Sequence, residues 1–335
     1  MEAFITQAPL FLVIILLIIG FVLLIKGADF FVEGSSSLAK RLHVPSLIIG
    51  LTVVAMGTSL PETAVSVTAS LTDNNALAVS NAVGSNIFNL MVVIGLCALL
   101  QSLKVERSTI VRDIPLSVAC AALLLLLGII GIGDASGMTL GHMDGLLLVI
   151  LFIGYIVLMV HQARKARSSA ITDSAQEEDA GDDEIKLLSL PRSLLAIIFG
   201  AAAIAIGGDL TVDAASRIAL DFGMSQTLVG LTIVSIGTSL PELVTSVVAA
   251  RKNEMDMALG NAVGSNIFNI LMVLGIASTL SPIAFLQENI IDIAVLLVFS
   301  LIVWIFAATR RRLGRAEGGI MLLLYLAYAV YIIMR

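Results

Sequence analysis

Apolar residues run along this chain in long blocks, with polar residues gathered in the short stretches between them. The blocks are Leu10–Lys26, Val44–Leu71, Ala76–Leu100, Ile114–Ile132, Leu146–Val160, Leu194–Asp209, Ser225–Ala250, Met255–Leu280, Ile290–Ala308 and Gly319–Ile333. Many reach the roughly 20 residues a helix needs to cross a bilayer. The pattern predicts an all-α polytopic membrane protein with ten transmembrane helices.

Composition agrees. Of 335 residues, 58% are hydrophobic and 13% charged, against about 25% charged in a soluble domain. A buried soluble core of this size would lack the polar surface to cover it. The first block has no basic leader and no small-residue cleavage site, so it is expected to stay as a helix. Cys97 and Cys120 fall within predicted spans and are expected to be packing residues, not a disulfide. The net charge of −6 comes largely from one loop and gives no reason to expect a nucleic-acid partner. No obligate protein partner is expected either; the surroundings are the lipid bilayer.

Ten spans place the loops alternately on two sides. One side takes Lys40, Arg41, Lys104, Arg107, Arg112, Arg164, Lys165, Arg167, Lys186, Arg192, Arg251, Lys252, Arg310, Arg311, Arg312 and Arg315, while the other takes Arg217 and Arg335. The positive-inside rule makes the basic side cytoplasmic and puts both termini outside. The expected location is the prokaryotic cytoplasmic (inner) membrane. The polar segment 162–191 carries Glu177, Glu178, Asp179, Asp182, Asp183 and Glu184. These lack the ligand spacing of an EF-hand, so the segment is expected to be a solvated acidic loop.

The chain repeats itself. GTSLPE stands at 57–62 and 237–242, and NAVGSNIFN at 81–89 and 261–269, both at an offset of 180 residues. The same offset aligns Gly27, Asp29, Glu33 and Ser36 with Gly207, Asp209, Asp213 and Ser216. The expected organisation is a first five-helix repeat over 1–161, the acidic loop over 162–191 and a second five-helix repeat over 192–335. Five is odd, so the second copy must cross the membrane in the opposite sense. Such inverted repeats are common in secondary transporters, with sites near the midplane where the halves meet.

The repeated motifs put carboxylates where they are costly. Glu62 and Glu242 lie inside apolar blocks, where a charge costs roughly 2.5–3.5 kcal/mol on insertion scales. No Lys, Arg or His lies in either block to compensate; a bound cation would. Thr58 precedes Glu62 by one helical turn, and Ser59 adds a second hydroxyl. Pro61 has no amide hydrogen, so the Gly57 carbonyl loses its helical donor. Carbonyls around Ala55 to Gly57 are therefore expected to turn inward as ligands. Ser235, Gly237, Thr238, Ser239 and Glu242 repeat the arrangement. Asn81, Ser85 and Asn89, and likewise Asn261, Ser265 and Asn269, each line one helix face, with Ser85, Asn89, Ser265 and Asn269 expected to face the site. Two carboxylates among hydroxyl, amide and carbonyl oxygens suit Ca²⁺, and such a cage can also hold Na⁺. Soft-ligand metals are disfavoured.

At these motifs the chain resembles the cation/calcium exchanger superfamily, and most of all its prokaryotic sodium/calcium exchangers. The resemblance implies four clustered cation sites at the membrane centre, with Ca²⁺ in one and Na⁺ in the flanking ones. It makes Glu62 and Glu242 the principal calcium ligands and Thr58 and Thr238 carbonyl donors. Ser59 and Ser239 become sodium ligands, Ala55 and Ser235 outer sodium-site carbonyls, and Ser85, Asn89, Ser265 and Asn269 polar side chains of the site. Several relatives have an aspartate in place of one of the last asparagines; both are Asn here. The resemblance also implies that the first and sixth helices slide as a pair. Asp29, Glu33, Asp209 and Asp213 lie at the ends of those helices and are read as surface charges ahead of gate contacts.

The expected function is antiport of Ca²⁺ for Na⁺ by alternating access. These are transported ions, and no organic cofactor is expected. The alternative is an H⁺/Ca²⁺ antiporter, or a potassium-dependent variant, using the same glutamates. A channel would need an oligomeric filter, whereas these motifs complete a site within one chain. An intramembrane enzyme built on Ser59 or Ser239 would need a His or Lys base, which the motif-bearing helices lack.

Overall fold

The computed structural model describes residues 5, 8–71, 75–131, 138–174, 187–224, 229, 233 and 235–334, without the side chains of 75–77, 169–174 and 235. Its helices are α1 (Leu10–Leu42), α2 (Ser46–Thr58), α3 (Leu60–Leu71), α4 (Ala78–Leu100), α5 (Thr109–Ile130), α6 (His142–Ser174), α7 (Leu190–Asp221), α8 (Ser235–Gly237), α9 (Leu240–Arg251), α10 (Met255–Leu280), α11 (Gln287–Arg310) and α12 (Arg315–Met334). Among the described residues, eight helices are long and apolar enough to cross a membrane, and α2 with α3 forms a ninth span bent by 49°. The predicted span Ser225–Ala250 enters the structure as α8 and α9, because much of its first part lies outside the described residues.

Two predicted spans end too early. Leu10–Lys26 continues to Leu42, and Leu194–Asp209 to Asp221. Both continuations hold charged and small polar residues, which ended the hydropathy signal without ending the helix. Small residues in turn let α1 and α7 pack along their length. An added Cβ on Gly27 would meet Ile204 N at 2.9 Å and Gly200 O at 3.0 Å, and one on Gly207 would meet Leu24 N at 2.7 Å. Gly20 lies against Gly207, Gly27 against Gly200 and Gly34 against Ser193, so the two helices are antiparallel. α6 likewise runs past residue 161, into the segment expected to be a loop, as far as Ser174. The acidic run 177–184 lies outside the described residues.

α4 and α10 are the most enclosed spans and form the centre. Both switch to a π-helical turn at the last residue of the second motif, over Asn89–Val93 and Asn269–Leu274. π turns inside α-helices are frequent at functional sites. Two short antiparallel ladders tie early chain to late chain: β1 (Leu103–Lys104) with β4 (Arg312–Leu313), and β2 (Thr139–Leu140) with β3 (Ile283–Ala284). Cys97 and Cys120 are both buried and unpaired, as expected for packing residues.

Candidate cation site

The helix breaks position the acids. α2 ends at Thr58, Ser59 leaves helical geometry at φ −86°, ψ 14°, and α3 starts at Leu60. Ser239 does the same at φ −93°, ψ 4° ahead of α9. Each glutamate therefore sits in the first turn of a helix that starts inside the protein, where the helix dipole favours negative charge. Gly57 and Gly237 do something the sequence did not suggest. A Cβ at Gly57 would lie 2.6 Å from Phe31 Cζ, and one at Gly237 2.2 Å from Val212 Cγ2. These glycines let α1 and α7 press against the breaks.

Glu62 and Glu242 are fully buried, and each is held by the other's motif. Ser59 Oγ donates to Glu242 Oε1 at 2.7 Å, and Ser239 Oγ donates to Glu62 Oε1 at 3.4 Å. Ser265 Oγ also lies 3.4 Å from Glu242 Oε1. The second oxygens, Glu62 Oε2 and Glu242 Oε2, have no partner.

The asparagines build the frame around them. Thr58 Oγ1 donates to Asn261 Oδ1 at 3.0 Å, and Thr238 Oγ1 to Asn81 Oδ1 at 3.3 Å. Asn81 and Asn261 in turn donate to Ser66 Oγ and Ser246 Oγ. Asn86 and Asn266, which sequence reasoning missed as site residues, bond to each other's backbone carbonyls at 3.1 and 3.2 Å. Their side-chain oxygens accept from Asn269 Nδ2 and Asn89 Nδ2 at 3.1 and 3.3 Å. That fixes both amides and leaves Asn89 Oδ1 and Asn269 Oδ1 without a donor. The signal that could have found Asn86 and Asn266 was their place inside the letter-for-letter repeat.

Of the residues picked from sequence, Glu62, Glu242, Ser59, Ser239, Ser265, Thr58 and Thr238 join this network directly, and Asn89 and Asn269 join it through Asn266 and Asn86. Ser85 is buried beside Glu62, and its hydroxyl is unpartnered. Ala55 is buried, and its carbonyl accepts from Ser59 N at 3.1 Å and Thr58 Oγ1 at 3.4 Å, so it is engaged within its own helix. Ser235 opens α8, and its side chain lies outside the described residues. Asp29 keeps about a third of its side chain exposed, as a surface charge does, and lies 3.6 Å from Lys252 Nζ.

Five buried oxygens thus lack donors: two carboxylate, two amide and one hydroxyl. Among the described residues, no group of three or more His, Cys, Asp or Glu is placed to hold a metal. The capacity for a cation therefore rests on two carboxylates among neutral hard oxygens.

Unpartnered buried oxygens of this kind, enclosed by membrane-crossing helices, point to a membrane carrier for cations. The family model for sodium/calcium exchanger proteins matches residues 12–161 and 192–334. CaxA of Alkalimonas amylolytica is 39% identical over 324 residues, covering 94% of this chain and 96% of its own. The sodium/calcium exchanger MaX1 of Methanosarcina acetivorans is 32% identical over 339 residues, covering 94% and 97%. A solved structure of the sodium-calcium exchanger NCX_Mj, soaked with Na⁺ and Sr²⁺, superposes with a TM-score of 0.80 at 32% identity, over 95% of this chain and 98% of that one. The chain belongs to the sodium/calcium exchanger protein family. It is a membrane-embedded secondary transporter, not an enzyme.

Proposed function

We propose that this protein exchanges Ca²⁺ for Na⁺ across the prokaryotic cytoplasmic membrane. In this reading two inverted five-helix repeats, 1–161 and 192–335, meet at one cage and present it to either side in turn. The 162–191 segment links them on the cytoplasmic side, and both termini lie outside. Glu62 and Glu242 ligate Ca²⁺. Ser85, Asn89, Ser265 and Asn269 complete its shell together with backbone donors at Thr58 and Thr238. Ser59, Ser239, Ala55 and Ser235 serve flanking Na⁺ positions.

One observation carries the reading. Two buried carboxylates each spend one oxygen on a serine from the other motif and leave the second without a donor. A buried charge without a partner is costly, so the empty cage is disfavoured and crosses the membrane filled. Cations competing for the same oxygens then become coupled. The reciprocal contacts at an offset of 180 residues support the inverted arrangement. The solved relative was soaked with Na⁺ and Sr²⁺, and Sr²⁺ is a close chemical stand-in for Ca²⁺.

Ca²⁺ uptake into proteoliposomes under an imposed Na⁺ gradient, with an H⁺ gradient as a separate arm, tests the proposal. Uptake driven by Na⁺ and abolished in Glu62→Gln and Glu242→Gln is expected. Uptake driven by H⁺ alone would replace Na⁺ as the coupling ion. Undiminished uptake in both variants would overturn the site.

A further inference from the structure

At its basic end α1 is tied to the turn between α9 and α10. Lys252 Nζ lies 3.6 Å from Asp29 Oδ1 and donates to the Asp29 carbonyl at 2.9 Å. Glu254 Oε1 lies 3.2 Å from Lys40 Nζ and accepts a hydrogen bond from Ser36 Oγ. Ser46, the first residue of α2, also reaches Glu254. Asn253 sits between them at φ 60°, a left-handed conformation that Asn tolerates better than most residues. That one residue turns the chain so that its two charged neighbours both meet α1.

The sequence at the aligned positions of the other repeat differs. The residues aligned with Asp29 and Ser36 are Asp209 and Ser216, but those aligned with Lys40, Lys252 and Glu254 are Leu220, Thr72 and Asn74. The first acid–base pair has lost its base, and the second has lost both members. Ser216 Oγ is buried with no partner among the described residues, whereas Ser36 is bonded. Here α7 also leaves a cavity of about 160 Å³ against α3, lined by Pro61, Val65, Asp209, Asp213 and Thr238.

We infer that Lys252 and Glu254 form a one-sided latch, which holds α1 against the α9–α10 turn and biases the carrier toward the state closed on its basic side. The inference rests on the alternating-access reading above. α1 cannot shift along α9 without parting Lys252 from Asp29 and Lys40 from Glu254, whereas the residues aligned with Lys40, Lys252 and Glu254 are uncharged and cannot form these ion pairs. A carrier whose basic-side-open state is under-populated binds from that side with an apparent affinity reduced by the same fraction.

The test measures Ca²⁺ half-saturation from each face of oriented proteoliposomes, and amide hydrogen exchange of the full chain. Compared are the parent, Lys252→Gln/Glu254→Gln and the reversed pair Lys40→Glu/Glu254→Lys. The glutamine double variant should lower half-saturation on the basic face about threefold to tenfold relative to the opposite face, a size two half-exposed ion pairs can support. Exchange should quicken in residues 36–46 and 251–256 but not in 209–221. The reversed pair should bring both readouts back toward the parent. An unchanged ratio with unchanged exchange, or a reversed pair no closer to the parent than the glutamine variant, would overturn the latch. Absence of Na⁺-driven flux in the parent would count against the exchange reading, while hydrogen exchange would still decide whether the contacts hold α1.

Discussion

Ser59 donates a 2.7 Å hydrogen bond to Glu242, a residue 183 positions away, and Ser239 stands in the same relation to Glu62 at 3.4 Å. Each acid is thus positioned by the motif that carries the other. Neither motif makes a site alone, which gives a physical reason for both copies to be present.

The shorter of the two bonds should matter more. Ser59→Ala leaves Ser265, at 3.4 Å, as the hydroxyl neighbour of Glu242 Oε1. A hydrogen bond to a charged group is worth about 1.5–3 kcal/mol, so Ser59→Ala should weaken Ca²⁺ binding by roughly tenfold or more, and Ser239→Ala by less. Calorimetric titration of the purified variants checks the order.

Asn266 should prove as important as any residue chosen from the sequence. Its side chain donates to Asn86 O and accepts from Asn89 Nδ2. Asn266→Ala strands both groups in a buried setting, at about 1–3 kcal/mol each. A lower melting temperature together with weaker Ca²⁺ binding is expected, measured by thermal unfolding with and without Ca²⁺.

Packing of α1 on α7 should separate transport from binding. A Cβ at Gly200 would stand 2.7 Å from Phe31 N and 2.8 Å from Gly27 O, so Gly200→Ala must push the pair apart. Na⁺-driven uptake should fall severalfold, while the rise in melting temperature with Ca²⁺ persists.

Acid should release the latch. Burial alone would raise the Glu254 carboxyl, but hydrogen bonds from Ser36, Ser46 and Lys40 and the Lys40 charge outweigh it and hold it below its ordinary value of 4.5. Asp256, on α10, adds an opposing negative charge, and Lys252 with Asp29 lies alongside. For a lowered carboxyl the stabilisation is in full force above the ordinary value and disappears as pH falls through the lowered one. The protection factors of residues 36–46, that is exchange rates corrected for the intrinsic rate at each pH, should therefore fall on acidification below about pH 4.5, and this component should vanish in Glu254→Gln.

Much of the fold and the site was legible because its signals are local. Apolar block length marks the spans, and proline before a buried glutamate marks both breaks. What escaped depends on packing. Continuation of α1 to Leu42 is stabilised by contacts with α7 and the Lys252–Glu254 turn, which hydropathy does not register. Asn86 and Asn266 lie off the four-residue spacing of the site face, so helical periodicity passed over them. They gained their role from the approach of α4 to α10.

Equilibrium binding of radiolabelled Ca²⁺ to the purified protein at a series of Na⁺ concentrations, for the parent, Glu62→Gln and Glu242→Gln, tests the shared cage most directly. The account predicts that Na⁺ raises the parent's half-saturation without lowering maximal binding, and that each substitution removes binding over the same range. Full binding in both variants, or Na⁺ that lowers capacity at constant affinity, would contradict it.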